Sequence, residues 1–106
     1  MNESATNNVD VYDITEIKER LTPIFRDNQV KRAVLFGSYA KGAACPKSDV
    51  DILVDSGLKG LDFVGLVEYV REALQKNVDV FDVCYVKKGS RVDREIAETG
   101  VPIYGE

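Results

Sequence analysis

Apolar residues recur along the chain in two rhythms, one helical and one extended. Ile14, Ile17, Leu21, Ile24 and Phe25 share one side of a helical repeat. The spacing predicts a helix starting at Asp13, where Asp13 and Glu16 stand at capping-box spacing, with Asp in place of Ser or Thr. Pro23 inside this pattern predicts a kink or break near Thr22, and Asn28 and Gln29 end it. Residues 30–36 read as a strand closed by Gly37, 38–42 as a helical turn, and 43–48, with Pro46, as a loop. Residues 49–54 read as a second strand, and Gly57 and Gly60 bracket the loop after it. Asp62 is placed to cap a helix over 63–74 that turns Phe63, Leu66, Val67, Val70 and Leu74 inward. Asn77 suits its C-terminal end. Residues 78–86 read as a third strand. Ser90 and Asp93 then open a helix of about two turns, with Val92 and Ile96 inward and Gly100 as its stop. In the tail, Ile103 and Tyr104 read as docking residues. The order helix, strand, strand, helix, strand, helix predicts an α/β fold, with helices packed against a sheet.

Length and charge narrow this picture. A chain of 106 residues fits one core, expected over residues 11–106, after a polar segment at 1–10 that predicts a flexible tail. The formal net charge of −4 argues against nucleic acid as a main ligand, because phosphate-backbone binding requires a basic surface. No signal-peptide pattern opens the sequence, and no apolar run approaches the ~20 residues that span a bilayer. Cys45 and Cys84 form no CxxC and the chain has no histidine, so they read as free thiols of a cytoplasmic protein.

The chemistry concentrates between Gly37 and Asp55. In an extended strand, Asp49 and Asp51 point one way and Val50, Ile52 and Val54 the other, into a core. Two carboxylates ~4 Å apart at an effective dielectric of about 20 repel by about 4 kcal/mol. A divalent cation bound by hard oxygens offsets this. The Gly37-Ser38 turn can let a phosphate approach backbone N–H groups. The combination suggests a nucleotide held by its phosphates, with magnesium on the carboxylates. Tyr39 reads as packing or as a nucleotide contact. Lys87, Lys88 and Arg91 read as a solvated basic cluster, or one that touches a partner.

Ten residues, 39–48, separate Gly37-Ser38 from Asp49-Val50-Asp51. GSYAKG…SDVDILV, together with the leading helix, the VDV strand and the closing REIAETGVPIYG, resembles the minimal nucleotidyltransferases (MNT) of the DNA polymerase beta superfamily. In particular it is similar to the prokaryotic MNT antitoxins paired with helical HEPN toxins. The resemblance implies a nucleotidyltransferase-type mixed sheet. It implies two magnesium ions on Asp49 and Asp51, with the β- and γ-phosphates of ATP at Gly37 and Ser38. Lys41 stands where the family commonly carries arginine and becomes a candidate phosphate contact. The family also uses a third carboxylate on a neighbouring strand. Asp79 and Asp82 face opposite sides of a regular strand, and periodicity does not choose between them. The family match of the VDV segment favours Asp79 as third catalytic residue and metal ligand. The implied activity is transfer of AMP from ATP to a hydroxyl, such as a tyrosine, of a HEPN toxin. A non-catalytic antitoxin that neutralises the HEPN RNase by complex formation is the alternative. So short a chain leaves no room for an acceptor-binding domain, which places the acceptor on another molecule.

Overall fold

The Asp13 and Glu16 side chains close a reciprocal cap. Asp13 accepts from the Glu16 N–H at 2.8 Å, and Glu16 accepts from the Asp13 N–H at 3.1 Å. In the computed structural model, which describes residues 11–105, this cap opens helix α1, Ile14–Asp27. The segment expected to be a flexible tail, 1–10, lies outside the described residues. α1 buries Ile17, Leu21 and Phe25 and continues through Pro23 without the expected break. Pro23 is exposed, while Leu21 and Phe25 on either side of it are anchored in the core.

Strand β1, Arg32–Phe36, leads through Gly37 into α2, the single turn Ser38–Lys41. Strand β2 is Val50–Asp55. Helix α3, Gly60–Leu74, starts three residues before the expected position. Lys59 occupies its N-cap without a side-chain cap, so Asp62 sits in the first turn, where it complements the helix dipole. The helix ends on Gln75 in the left-handed region rather than at Asn77. Strand β3, Val78–Asp82, stops before the expected residue 86 because Asp82 caps the 3₁₀ turn Val83–Tyr85. Ser90 caps helix α4, Arg91–Thr99, and the tail forms a further strand, β4, Val101–Tyr104. Pro102 obscured that strand in the sequence. A proline lacks a ladder donor and belongs on an edge, which is where β4 lies.

The sheet order is β3-β2-β1-β4. β1 pairs antiparallel with β2 and β4, and β2 pairs parallel with β3, so the sheet is mixed. Val50, Ile52 and Val54 are fully buried on the core face, together with Ala33, Leu35 and Ile103. Ile17, Leu21 and Phe25 of α1 and Leu66, Val70 and Leu74 of α3 belong to the same cluster. Tyr12 ties the start of α1 to the end of α3 through a 2.7 Å hydrogen bond from its hydroxyl to the Leu74 carbonyl. Cys45 and Cys84 are free and exposed. Among the described residues no helix is long and apolar enough to cross a membrane.

The β2–β3 register separates the two aspartates of β3. Asp82 lies opposite Val54, on the core face, and is only 2% exposed. Its carboxylate accepts from the Ser56 N–H at 3.2 Å, from the Ser56 hydroxyl and from the Cys84 N–H at 3.1 Å. Burial alone would push its pKa up; the hydrogen bonds from Ser56 and Cys84 outweigh burial and hold it below the usual 3.8. Asp82→Ala is therefore expected to lose roughly 1.5–3 kcal/mol, the range for a hydrogen bond to a charged group. Urea denaturation checks this. The folded state favours the ionised carboxylate, so the loss is full at neutral pH. It shrinks as pH falls through the carboxylate range.

Candidate active site

The strand register also builds a row of side chains on the opposite face of the sheet. Phe36 of β1 is opposite Asp51 of β2, and Asp51 is opposite Asp79 of β3. Phe81, two residues beyond Asp79, meets Phe36 with ring centroids 5.9 Å apart. α4 runs along this face, and with the sheet it bounds an open cleft of about 340 Å³. Asp49, Asp51, Asp79, Ser38 and Ser48 line the cleft, joined by Arg91 and Glu95 from α4. Ser48 sets the approach to β2: its Oγ accepts from the Cys45 N–H at 3.0 Å.

Gly37 joins the row through its missing side chain. Its φ of +78° suits glycine, and a Cβ there would stand 2.5 Å from Oδ2 of Asp51. The Asp51 carboxylate thus lies directly against the turn. The Gly37 N–H donates to Oγ1 of Thr99 at 2.8 Å, and the Thr99 hydroxyl donates to the Glu95 carbonyl, also at 2.8 Å. This amide is engaged inside the fold, in contrast to the sequence expectation that it would face a phosphate; Ser38 remains on the cleft wall.

Asp51 carries the electrostatic load of the site. Burial, then the charges of Asp79, Glu95 and Asp49, and a hydrogen bond with Asp79 push its pKa up to about 6. Such an excess of negative charge on hard oxygens fits a divalent cation on Asp49, Asp51 and Asp79. Among the described residues no group of three acids is gathered closely enough to hold a metal ion by itself. An open arrangement of that kind suits magnesium, which is commonly held by one or two carboxylates together with substrate phosphates.

Other expected residues lie elsewhere. Lys41, the candidate phosphate contact, is exposed at the end of α2. It lines a separate surface depression with Val11, Tyr12 and Ala44, away from the acidic cleft. Tyr39 is buried in the core. Glu95 and Thr99 were missed by sequence reasoning because both stand in a short amphipathic helix that reads as ordinary cover for a sheet. Their signal is position: Arg91, Glu95 and Thr99 follow each other at four-residue steps, which makes one helical stripe.

The pattern of the family described as Polymerase beta, Nucleotidyltransferase matches residues 19–106. The chain belongs to this family and is a nucleotidyltransferase. The nucleotidyltransferase is 46% identical over 69 residues to the protein named "Putative protein adenylyltransferase MJ0435" of Methanocaldococcus jannaschii, covering 63% of this chain and 74% of that one. A second protein of that organism, "Putative protein adenylyltransferase MJ1379", is 33% identical over 91 residues, covering 76% and 91%. A crystal structure of a toxin–antitoxin with AMP-PNP superposes with a TM-score of 0.72 at 25% identity, over 84% of this chain and 73% of that one. The mixed sheet is thus the nucleotidyltransferase fold, shared also with a structure described as a minimal nucleotidyltransferase (TM-score 0.69, 24% identity, 86% and 96% covered).

Two outcomes follow from the Asp51–Gly37 contact and its electrostatics. Asp51→Asn is expected to raise the melting temperature in metal-free buffer at pH 7.5. Since the folded state binds this proton more tightly, the native carboxylate's penalty is absent below the usual 3.8, grows as pH rises, and is complete above about 6. The gain should therefore vanish near pH 4, as read by calorimetry across that range. Gly37→Ala is expected to destabilise the fold by about 1–3 kcal/mol, through a backbone conformation unfavourable to alanine and a clash with Asp51. Chemical denaturation measures it.

Proposed function

We propose that this nucleotidyltransferase transfers AMP from ATP to a hydroxyl, in this reading a tyrosine, of a HEPN-type helical toxin, and so acts as the antitoxin of the pair. The observation that carries the reading is the alignment of Asp51 and Asp79 across β2 and β3 beside the Gly37–Ser38 turn. The 46% identity to a protein named as an adenylyltransferase supports AMP as the group moved and a protein as its acceptor. The fold shared with toxin–antitoxin structures supports the partner, among them a tri-AMPylated Shewanella oneidensis HEPN toxin in complex with MNT antitoxin (TM-score 0.67, 22% identity).

The attacking hydroxyl oxygen forms a bond to the α-phosphorus of ATP. The bond from that phosphorus to the oxygen bridging to the β-phosphate breaks, and pyrophosphate leaves with the electron pair. Asp49, Asp51 and Asp79 would hold the two magnesium ions of this reading, which would neutralise charge on the triphosphate and on the attacking oxygen. Asp79, exposed on the edge strand, accepts the hydroxyl proton. Ser38 holds the β- and γ-phosphates through its hydroxyl and its amide. Asp51, pressed against Gly37, spans the distance between the phosphate turn and Asp79. The reading assigns the enzyme to the cytoplasm, with no direct contact to nucleic acid.

Purified protein, magnesium, ATP labelled at the α-phosphate and the small helical protein encoded beside it make the test. Label on the partner, with a mass gain of AMP on a tyrosine peptide, is the expected outcome. Asp49→Asn combined with Asp51→Asn should abolish transfer, and Asp79→Asn should slow it about 10²-fold or more. Asp82→Asn should leave the rate of the folded fraction unchanged. A tight complex that silences the partner without any transfer would overturn the catalytic reading in favour of sequestration.

A further inference from the structure

Arg91 is the one cation among the residues that line the acidic cleft. Four acids line it: Asp49, Asp51, Asp79 and Glu95. Among the described residues the Arg91 guanidinium makes no ion pair and no hydrogen bond, although Arg26, Arg32 and Arg71 each pair with an acid elsewhere on the surface. Helix stability does not account for a cation at this place. Arg91 is the first residue of α4, where the helix dipole presents its positive end and disfavours a positive side chain. The helix already has its cap, from the Ser90 hydroxyl to the Asp93 N–H at 3.2 Å.

The cleft has two further features that bear on Arg91. Its expected phosphate lysine, Lys41, stands outside it. The Gly37 amide is engaged by Thr99 at 2.8 Å. Ser38 is then the remaining phosphate donor expected from the sequence on the cleft wall, and a polyanionic tail must enter among four carboxylates. Magnesium on the aspartates would offset part of that charge; Glu95 adds a further negative charge on the α4 side of the cleft, where a polyanion would need a cation of the protein's own.

We propose that Arg91 binds the β- and γ-phosphates of the nucleotide and is the side chain that selects a triphosphate over a monophosphate; this rests on the nucleotidyl-transfer reading of the cleft. A guanidinium suits the task because its fork of donors matches two phosphate oxygens at once, and it stays charged at every working pH. A guanidinium on the β- and γ-phosphates would also touch the departing pyrophosphate, so the same contact favours the leaving group as charge develops on it.

The test measures binding of magnesium-ATP, AMP and magnesium-pyrophosphate to the full chain by calorimetry, with AMP transfer as a second readout. Arg91→Gln is expected to weaken magnesium-ATP and magnesium-pyrophosphate about 10- to 100-fold, the span of a charged hydrogen bond, and to leave AMP within about twofold. Arg91→Lys should recover part of the loss, and Lys41→Gln should change neither ligand. In transfer, Arg91→Gln should raise the KM for ATP while the KM for the partner protein stays level. Equal weakening of AMP and ATP, or unaltered ATP binding with a raised KM for the partner, would overturn the assignment and make Arg91 a general or partner contact. Wild-type protein that binds no magnesium-ATP would instead sink the nucleotidyl-transfer reading itself, so the two failures are distinguishable.

Discussion

The approach of the Asp51 carboxylate to the backbone of Gly37 is the contact on which the rest of this protein's geometry depends. It requires β1 and β2 to pair with Phe36 opposite Asp51, so that the residue after Phe36 falls beside the carboxylate. It also requires a residue without a Cβ at 37, since even a methyl group would lie 2.5 Å from Oδ2. The same β2 register, continued into β3, sets Asp79 beside Asp51 and turns Asp82 the other way. The Gly37–Ser38 turn, Asp51 and Asp79 therefore share one constraint. A shift of one residue in either ladder would exchange the acidic face for the apolar one.

A half-buried, crowded carboxylate opposes folding, and the protein tolerates it because the other face of the sheet is strongly apolar. Val50, Ile52 and Val54 alternate with the acids and are fully buried against α1 and α3. The cleft acid Asp51 and the buried core residues thus stand on opposite faces of one six-residue strand. Asp82 shows what a buried acid looks like when it serves structure instead: it is held by Ser56 and Cys84, and its pKa moves down. Asp51, half-buried, and Asp82, buried, both lose contact with water, yet shift in opposite directions, because one faces acids and the other faces donors.

Much of this was legible in the sequence. The Asp13–Glu16 cap, the period-two run of β2 and the Gly-Ser turn are local patterns, and local patterns survive translation into structure. What the sequence did not disclose is non-local. Periodicity within β3 could not separate Asp79 from Asp82; the family match favoured Asp79, and the parallel register with β2 sets it opposite Asp51. β4 was hidden by Pro102 and is a strand because β1 offers it an edge. Lys41 was a candidate phosphate contact because the family commonly carries arginine there, but it stands at the exposed end of α2 and lines a different depression. Glu95 reaches the cleft, and Thr99 the Gly37 amide, only because α4 is laid over the sheet before the chain enters β4.

The hydrogen bond from the Gly37 amide to Thr99 has a thermodynamic consequence. A flexible glycine turn that closed only around phosphate would lose backbone freedom, about 1–2 kcal/mol per residue, at the moment of binding. Here the ordering is completed during folding, by a hydroxyl from the far end of the domain. The turn is already shaped in the folded domain, and a ligand docking there would be spared that entropic term.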